Sequence, residues 1–202
     1  MKITKIFTVE SSHIVRNCTS NRCSHSVHGH SYKIEVEFAS RRLDNAGMVM
    51  DFGLMKSNIK NWIDTMDHCH IIWSKDTDEY KNFFKKHNER WIEVPFNPSA
   101  EMLSIWIFDT IAKMLQHTEF NNGERDVCVN SVTVHETATG RAMADQLDVD
   151  LTWRDEWDSQ IKYSDGVIRD LDNRVVCFLR ALATPNAEFN YWFKNPVIEQ
   201  QV

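Results

Sequence analysis

The chain has 202 residues, of which 42% are hydrophobic, with 6 Gly, 4 Pro and a formal net charge of -6. That length suits one core domain with an appendage, and the composition excludes a disordered, collagen-like or low-complexity chain. The acidic balance argues against duplex nucleic acid or an anionic membrane as partner, because counterion release needs clustered Lys and Arg.

The N-terminal run Met1-Lys2-Ile3-Thr4-Lys5 alternates instead of forming a signal-peptide core, and no apolar run approaches the ~20 residues that cross a bilayer. The expected address is the cytoplasm. From Ile3, apolar Phe7 and Val9 alternate with polar Thr4, Thr8 and Glu10, which predicts a half-buried strand. Residues 14–27 are rich in Asn, Ser, Cys and Arg without a sustained period, and read as a long functional loop. Tyr32, Ile34, Val36 and Phe38 then alternate with Lys33, Glu35 and Glu37, a second strand with one buried face.

After the turn Asn45-Ala46-Gly47, the run Met48-Val49-Met50-Asp51-Phe52 reads as a short strand. Met55, Ile59, Trp62, Ile63 and Met66 recur at helical spacing and predict a helix over about 54–66. Residues 74–97 are charged and aromatic with little periodicity, and read as an excursion. Asn97-Pro98 supplies a cap and a first-turn proline for a second helix, with Leu103, Ile107, Ile111 and Leu115 down one face. Val127 to Glu136, after the turn Asn121-Asn122-Gly123, is a further strand.

Asp145 to Asp158 carries six acids against the single Arg154, and Ile168, Leu171, Val175, Phe178, Leu179 and Leu182 space like an amphipathic helix that stops at Thr184-Pro185. Residues 145–202 are therefore expected to extend a domain spanning 1–144. Trp153, Trp157, Tyr191, Trp192 and Phe193 in that extension are read as packing surfaces in preference to a stacking platform. Five scattered cysteines, Cys18, Cys23, Cys69, Cys128 and Cys177, are an odd number and are expected to be free thiols.

Strand positions two apart point the same way, so His28 and His30 share the face of Tyr32 and Ile34, and His13 has the parity of Phe7 and Val9. If the two strands pair as a hairpin, three imidazoles converge at one end of the sheet. Three neutral imidazoles form a zinc set with an exchangeable fourth position, the arrangement of a Lewis-acid site. The structural rival, a zinc knot from Cys18, Cys23, His28 and His30, fits poorly because His-x-His in a strand lacks the wider spacing of finger ligands.

Cys23-Ser24-His25-Ser26-Val27-His28-Gly29-His30-Ser31-Tyr32 is followed by Gly47-Met48-Val49-Met50-Asp51-Phe52, Asp67-His68, Pro98-Ser99-Ala100-Glu101 and His135-Glu136-Thr137. In this order, over about 1–144, these motifs resemble the 6-pyruvoyltetrahydropterin synthase and 6-carboxytetrahydropterin synthase family. The resemblance implies an α+β tunnelling fold: a four-stranded antiparallel sheet with two helices on one face, here with a C-terminal helical extension, assembled as a homohexamer of two trimers. It makes His13, His28 and His30 the ligands of Zn2+, Cys23 the proton-transferring thiol, Asp67 and His68 a proton relay, and Glu136 the pterin anchor, with Thr137 and Glu101 beside it at the substrate. These groups would meet from neighbouring subunits. Ser99 and Glu101 are equally readable as first-turn helix residues, and Arg16 and Arg22 are candidates for a phosphate although solvated loop arginines are more common.

The implied reaction converts 7,8-dihydroneopterin triphosphate to 6-carboxy-5,6,7,8-tetrahydropterin with loss of acetaldehyde and triphosphate, a step toward 7-deazaguanine compounds such as queuosine. The alternatives are 6-pyruvoyltetrahydropterin synthesis and a pterin-binding protein without turnover. The compact Cys23 to His28 loop, nearer the shorter spacing of the family, favours the carboxy product.

Overall fold

A computed structural model describes residues 1–184 and 193–195. In chain order the elements begin with β1 (Lys2–His13), α1 (Asn21–His25) and β2 (His28–Ala39). A helical segment, α2, winds from a π turn at Met55–Ile59 through α geometry at Lys60–Ile63 to a 3-10 turn at Asp64–Met66. There follow β3 (Cys69–Trp73), α3 (Asp78–His87), β4 (Trp91–Val94), α4 (Ala100–Gln116), β5 (Thr118–Glu119), β6 (Cys128–His135) and β7 (Arg141–Ala144). The extension supplies α5 (Gln146–Thr152), β8 (Lys162–Tyr163), α6 (Asp165–Arg169), α7 (Asn173–Leu182) and β9 (Phe193–Lys194).

β1 and β2 form a long antiparallel hairpin in register from Lys2↔Ala39 to His13↔His28. Its buried layer is the one the alternation predicts: Phe7, Val9, Tyr32, Ile34, Val36 and Phe38. β6 continues that layer by setting Val132 and Val134 opposite Val36 and Ile34, and α4 packs over it. Trp62 and Trp106 meet edge to face at 5.4 Å, which joins α2 to α4 beneath the sheet.

The expected four-stranded antiparallel sheet with two helices is only part of what forms. Among the described residues the sheet has seven strands, ordered β7-β6-β2-β1-β3-β4-β8. Its first four are antiparallel, but β3 and β4 continue it in parallel and β8 returns antiparallel at the edge. β3 shows no alternation because Cys69, His70, Ile71 and Ile72 are all buried, the pattern of a strand covered on both faces. α3 supplies the second cover: Phe84 stacks on His70 at 3.9 Å. Residues 74–97, expected to be an excursion, therefore contain α3 and the strand β4.

Local chemistry explains three further differences. Residues 48–52 are not a strand, because Asp44 Oδ1 accepts from the Ala46 and Met48 N–H groups and Asp51 Oδ1 from Gly53 N–H. Those side chains satisfy the backbone as a loop while Val49 and Met50 bury their apolar groups. The cap of α4 is Ser99, whose hydroxyl accepts from Met102 N–H, whereas Asn97 exchanges hydrogen bonds with the backbone of Arg16. The last amphipathic segment breaks at residues 170–172 into α6 and α7.

The extension packs into the main core. Tyr163 of β8 pairs with Ile92, Trp153 and Trp157 pack on Phe96 at 5.9 and 5.8 Å, and Val149, Val167, Val175, Phe178 and Phe193 join the principal apolar cluster. Lys113 ties α4 to it through Asp158 at 2.6 Å, while Asp109 of the same helix holds the ammonium at 2.7 Å. Tyr191 and Trp192 lie outside the described residues. All five cysteines are free thiols. Among the described residues no helix is long and apolar enough to cross a membrane.

Phe178 is fully buried and Phe83 is 63% exposed. Phe178→Ala is expected to cost about 3–5 kcal/mol of unfolding free energy, and Phe83→Ala less than about 0.5 kcal/mol, as read from denaturant melts.

Candidate metal centre

The hairpin register carries three imidazoles to one end of the buried layer. His13 ends β1, His28 begins β2 directly opposite, and His30 lies two residues further along the same face. The ring centroids are 4.6 Å apart for His13 and His28, 5.3 Å for His13 and His30, and 5.2 Å for His28 and His30. One nitrogen from each ring lies within 4.8 Å of the other two.

The second nitrogens identify the tautomers. His13 Nδ1 is 2.6 Å from Pro98 O and His28 Nδ1 is 2.9 Å from Ser26 O. A carbonyl only accepts, so each Nδ1 donates its proton and each Nε2 keeps its lone pair for a metal. Burial pushes the His13 pKa down to about 4, against the pull of the Pro98 carbonyl and with the other two imidazoles adding to the fall. Burial lowers His30 as well, with Glu136 acting upward and His28 downward. Neutral rings are the form that ligates. His30 Nε2 is buried without a hydrogen-bond partner among the described residues, the orphaned atom that a bound cation would satisfy. The donor set therefore fits zinc: three imidazole nitrogens with room for a further ligand.

Glu136, just past β6, joins this cluster. Its Oε1 is 3.5 Å from His13 Nε2 and 3.6 Å from His30 Nε2. Tyr32 underlies it, with the hydroxyl 3.3 Å from His13 Nδ1. Neither Tyr32 nor the carbonyls of Pro98 and Ser26 were among the expected site residues. Tyr32 had a signal in its parity with His28 and His30, but a backbone carbonyl 85 positions from His13 leaves none.

The other expected residues are not part of the three-imidazole group. Cys23 is in the short α1 that leads into β2, and its carbonyl accepts from Val15 N–H at 3.0 Å. Asp67 and His68 sit together at 2.9 Å where α2 turns into β3, and Asp67 also accepts from Glu10 N–H at 2.8 Å. Burial works against the Asp67 carboxylate, but the Glu10 and His68 hydrogen bonds and the Arg90 charge hold its pKa below the ordinary value. His68 is exposed and shares a cleft of about 350 Å³ with His30, Ser31 and Arg90. Glu101 stands exposed in the first turn of α4. Thr137 closes the turn into β7, its hydroxyl accepting from Gly140 N–H at 2.8 Å. Arg16 is held by Asp76 at 2.9 and 3.1 Å and by Ser24 O at 2.9 Å, which fixes the loop instead of leaving a free cation.

The sequence profile described as 6-pyruvoyl tetrahydropterin synthase matches residues 2–146. The chain belongs to that family. Within this tetrahydropterin synthase family, a 6-carboxy-5,6,7,8-tetrahydropterin synthase of Helicobacter pylori strain J99 is 41% identical over 142 residues, covering 70% of this chain and 71% of the relative. The synthase of the same description from Aquifex aeolicus is 36% identical over 125 residues, covering 60% of this chain and 75% of its own. A crystal structure of an uncharacterized protein from Wolinella succinogenes superposes with a TM-score of 0.57 at 24% identity, over 72% of this chain and 98% of that one. The 6-pyruvoyl tetrahydropterin synthase of Caenorhabditis elegans superposes with a TM-score of 0.50 at 19% identity, over 72% and 94%. These superpositions place the α+β architecture with the tunnelling fold.

His28→Ala is expected to reduce bound zinc from about one ion per chain to near none, whereas Cys23→Ala keeps it, because the thiol is not in the ligand set. Metal analysis of the purified variants checks both.

Proposed function

We propose that this chain is a zinc-dependent lyase that converts 7,8-dihydroneopterin triphosphate and one water to 6-carboxy-5,6,7,8-tetrahydropterin, acetaldehyde and triphosphate. The observation that carries the reading is the three-imidazole cluster with a carboxylate beside it, in a chain 41% identical over 142 residues to a 6-carboxy synthase. That product is a step toward 7-deazaguanine compounds such as queuosine, and the proposed address is the cytoplasm.

His13, His28 and His30 would hold the zinc, with Nδ1 of the first two fixed by carbonyls and Nε2 turned to the cation. When bound there, zinc supplies Lewis-acid polarisation of the substrate's side-chain oxygens. Cys23 takes the proton from the side-chain carbon. Asp67 orients His68 and supports its imidazolium, so that the pair returns and removes protons at the neighbouring oxygens. Glu136 accepts from the amino and ring N–H groups of the pterin, which sets the side chain against the imidazole cluster. Thr137 and Glu101 line that end of the substrate.

His68 opens into the same cleft as His30, and the proposed assembly is a homohexamer built from two trimers, with the site completed between subunits. Residues 1–144 form the catalytic domain and 145–202 an extension on it, a division supported by motifs that end at Thr137 and a family match that ends at residue 146.

Turnover of the substrate is expected to yield acetaldehyde and triphosphate in equal amounts, measured by aldehyde trapping and phosphate analysis. A pyruvoyl side chain with no aldehyde assigns the protein to the other synthase reaction. Cys23→Ala is expected to lower kcat by on the order of 10²–10⁴. Glu136→Ala is expected to weaken pterin binding by about 1–3 kcal/mol, read by titration of the ligand.

A further inference from the structure

α2 ends in a 3-10 turn, Asp67 turns to an extended conformation at φ -75° and ψ 134°, and His68 then adopts φ 50°, the left-handed region that a side chain with a β-carbon rarely enters. Two backbone carbonyls lead into this reversal, those of Asp64 and Asp67. Arg90, immediately before β4, donates to both: Nε to Asp67 O at 3.0 Å and Nη2 to Asp64 O at 3.1 Å. Its own carbonyl accepts from His70 N–H at 3.3 Å, so the residue holds the chain on both sides of His68.

The remaining arm of the guanidinium faces the extension. Nη1 donates to Gly166 O at 3.2 Å and to the Asp170 carboxylate. α6 also runs close to the chain before Arg90: a β-carbon on Gly166 would come within 2.4 Å of Glu89 O. Arg90 also lines both clefts that meet at His68. A planar fork with fixed donors spans three carbonyls and a carboxylate; an ammonium with the same charge does not.

We propose that Arg90 is the positioning residue for the Asp67–His68 pair, and that residues 165–170 of the extension act on the pair through it. The inference rests on the reading of Asp67 and His68 as the proton relay. It gives the extension a part in turnover, although all residues assigned to chemistry precede it in the chain.

The test uses the full zinc-loaded chain and 7,8-dihydroneopterin triphosphate. Arg90→Lys is expected to lower kcat by on the order of 10²-fold, with KM, zinc content and elution as an oligomer unchanged and a raised solvent deuterium isotope effect on kcat. Asp170→Asn, which keeps the arms to Asp64 and Asp67, is expected to move the same readouts less, and it carries the test if Arg90→Lys does not fold. A kcat within about twofold of wild type, or a lower kcat at an unchanged isotope effect, overturns the positioning role, since a smaller active fraction alone leaves the isotope effect where it was. His68→Asn separates the two claims. If it is inactive while Arg90→Lys is fully active, the relay stands and the positioning role falls; if it turns over at the wild-type rate, the relay reading fails and the proposal with it.

Discussion

The pairing of β1 with β2 is the constraint on which the site depends. Side chains alternate along a strand, so a slip of one residue would turn every side chain on the slipped strand to the opposite face. Phe7 and Val9 opposite Ile34 and Tyr32 make such a slip costly, because each would exchange a buried position for an exposed one. The apolar pairs in the middle of the hairpin thereby hold His13 against His28 and His30 at its end. Metal geometry here is a consequence of core packing some distance along the same strands.

What surrounds the imidazoles then determines their chemistry. Burial disfavours the imidazolium, and the carbonyls of Pro98 and Ser26 set the tautomer. Pro98 is placed by the loop that enters α4, whose neighbour Asn97 is bonded to the backbone of Arg16. That connection links the end of β1, the α1 loop carrying Cys23 and the start of α4. It explains why a long polar segment, residues 14–27, is ordered: Arg16 bridges Asp76 and Ser24, and Val15 pairs with Cys23.

Much of this was legible in the sequence, for identifiable reasons. β1, β2 and β6 each present one face to the core, so their two-residue period is visible, and the same parity led directly to the three histidines. β3 and β4 are short and covered on both sides, so their apolar runs have no period to read. Val49 and Met50 are apolar because a loop is buried, and the Asp44 and Asp51 side chains that keep it a loop act through backbone contacts rather than through a pattern. The extension looked separable because its acids form a visible block. Asp158, however, is held by Lys113, and the apolar residues of α7 complete a core begun by α4. Arg90 carried no sequence signal, since its role lies in carbonyls contributed by segments far from it in the chain.

The most direct test of this account is the zinc X-ray absorption spectrum of the purified protein without substrate. Three imidazole nitrogens at about 2.0 Å, with any further ligand a light atom, are the predicted first shell. A sulfur scatterer at about 2.3 Å, or fewer than three imidazoles, would contradict a centre built by His13, His28 and His30 on one hairpin.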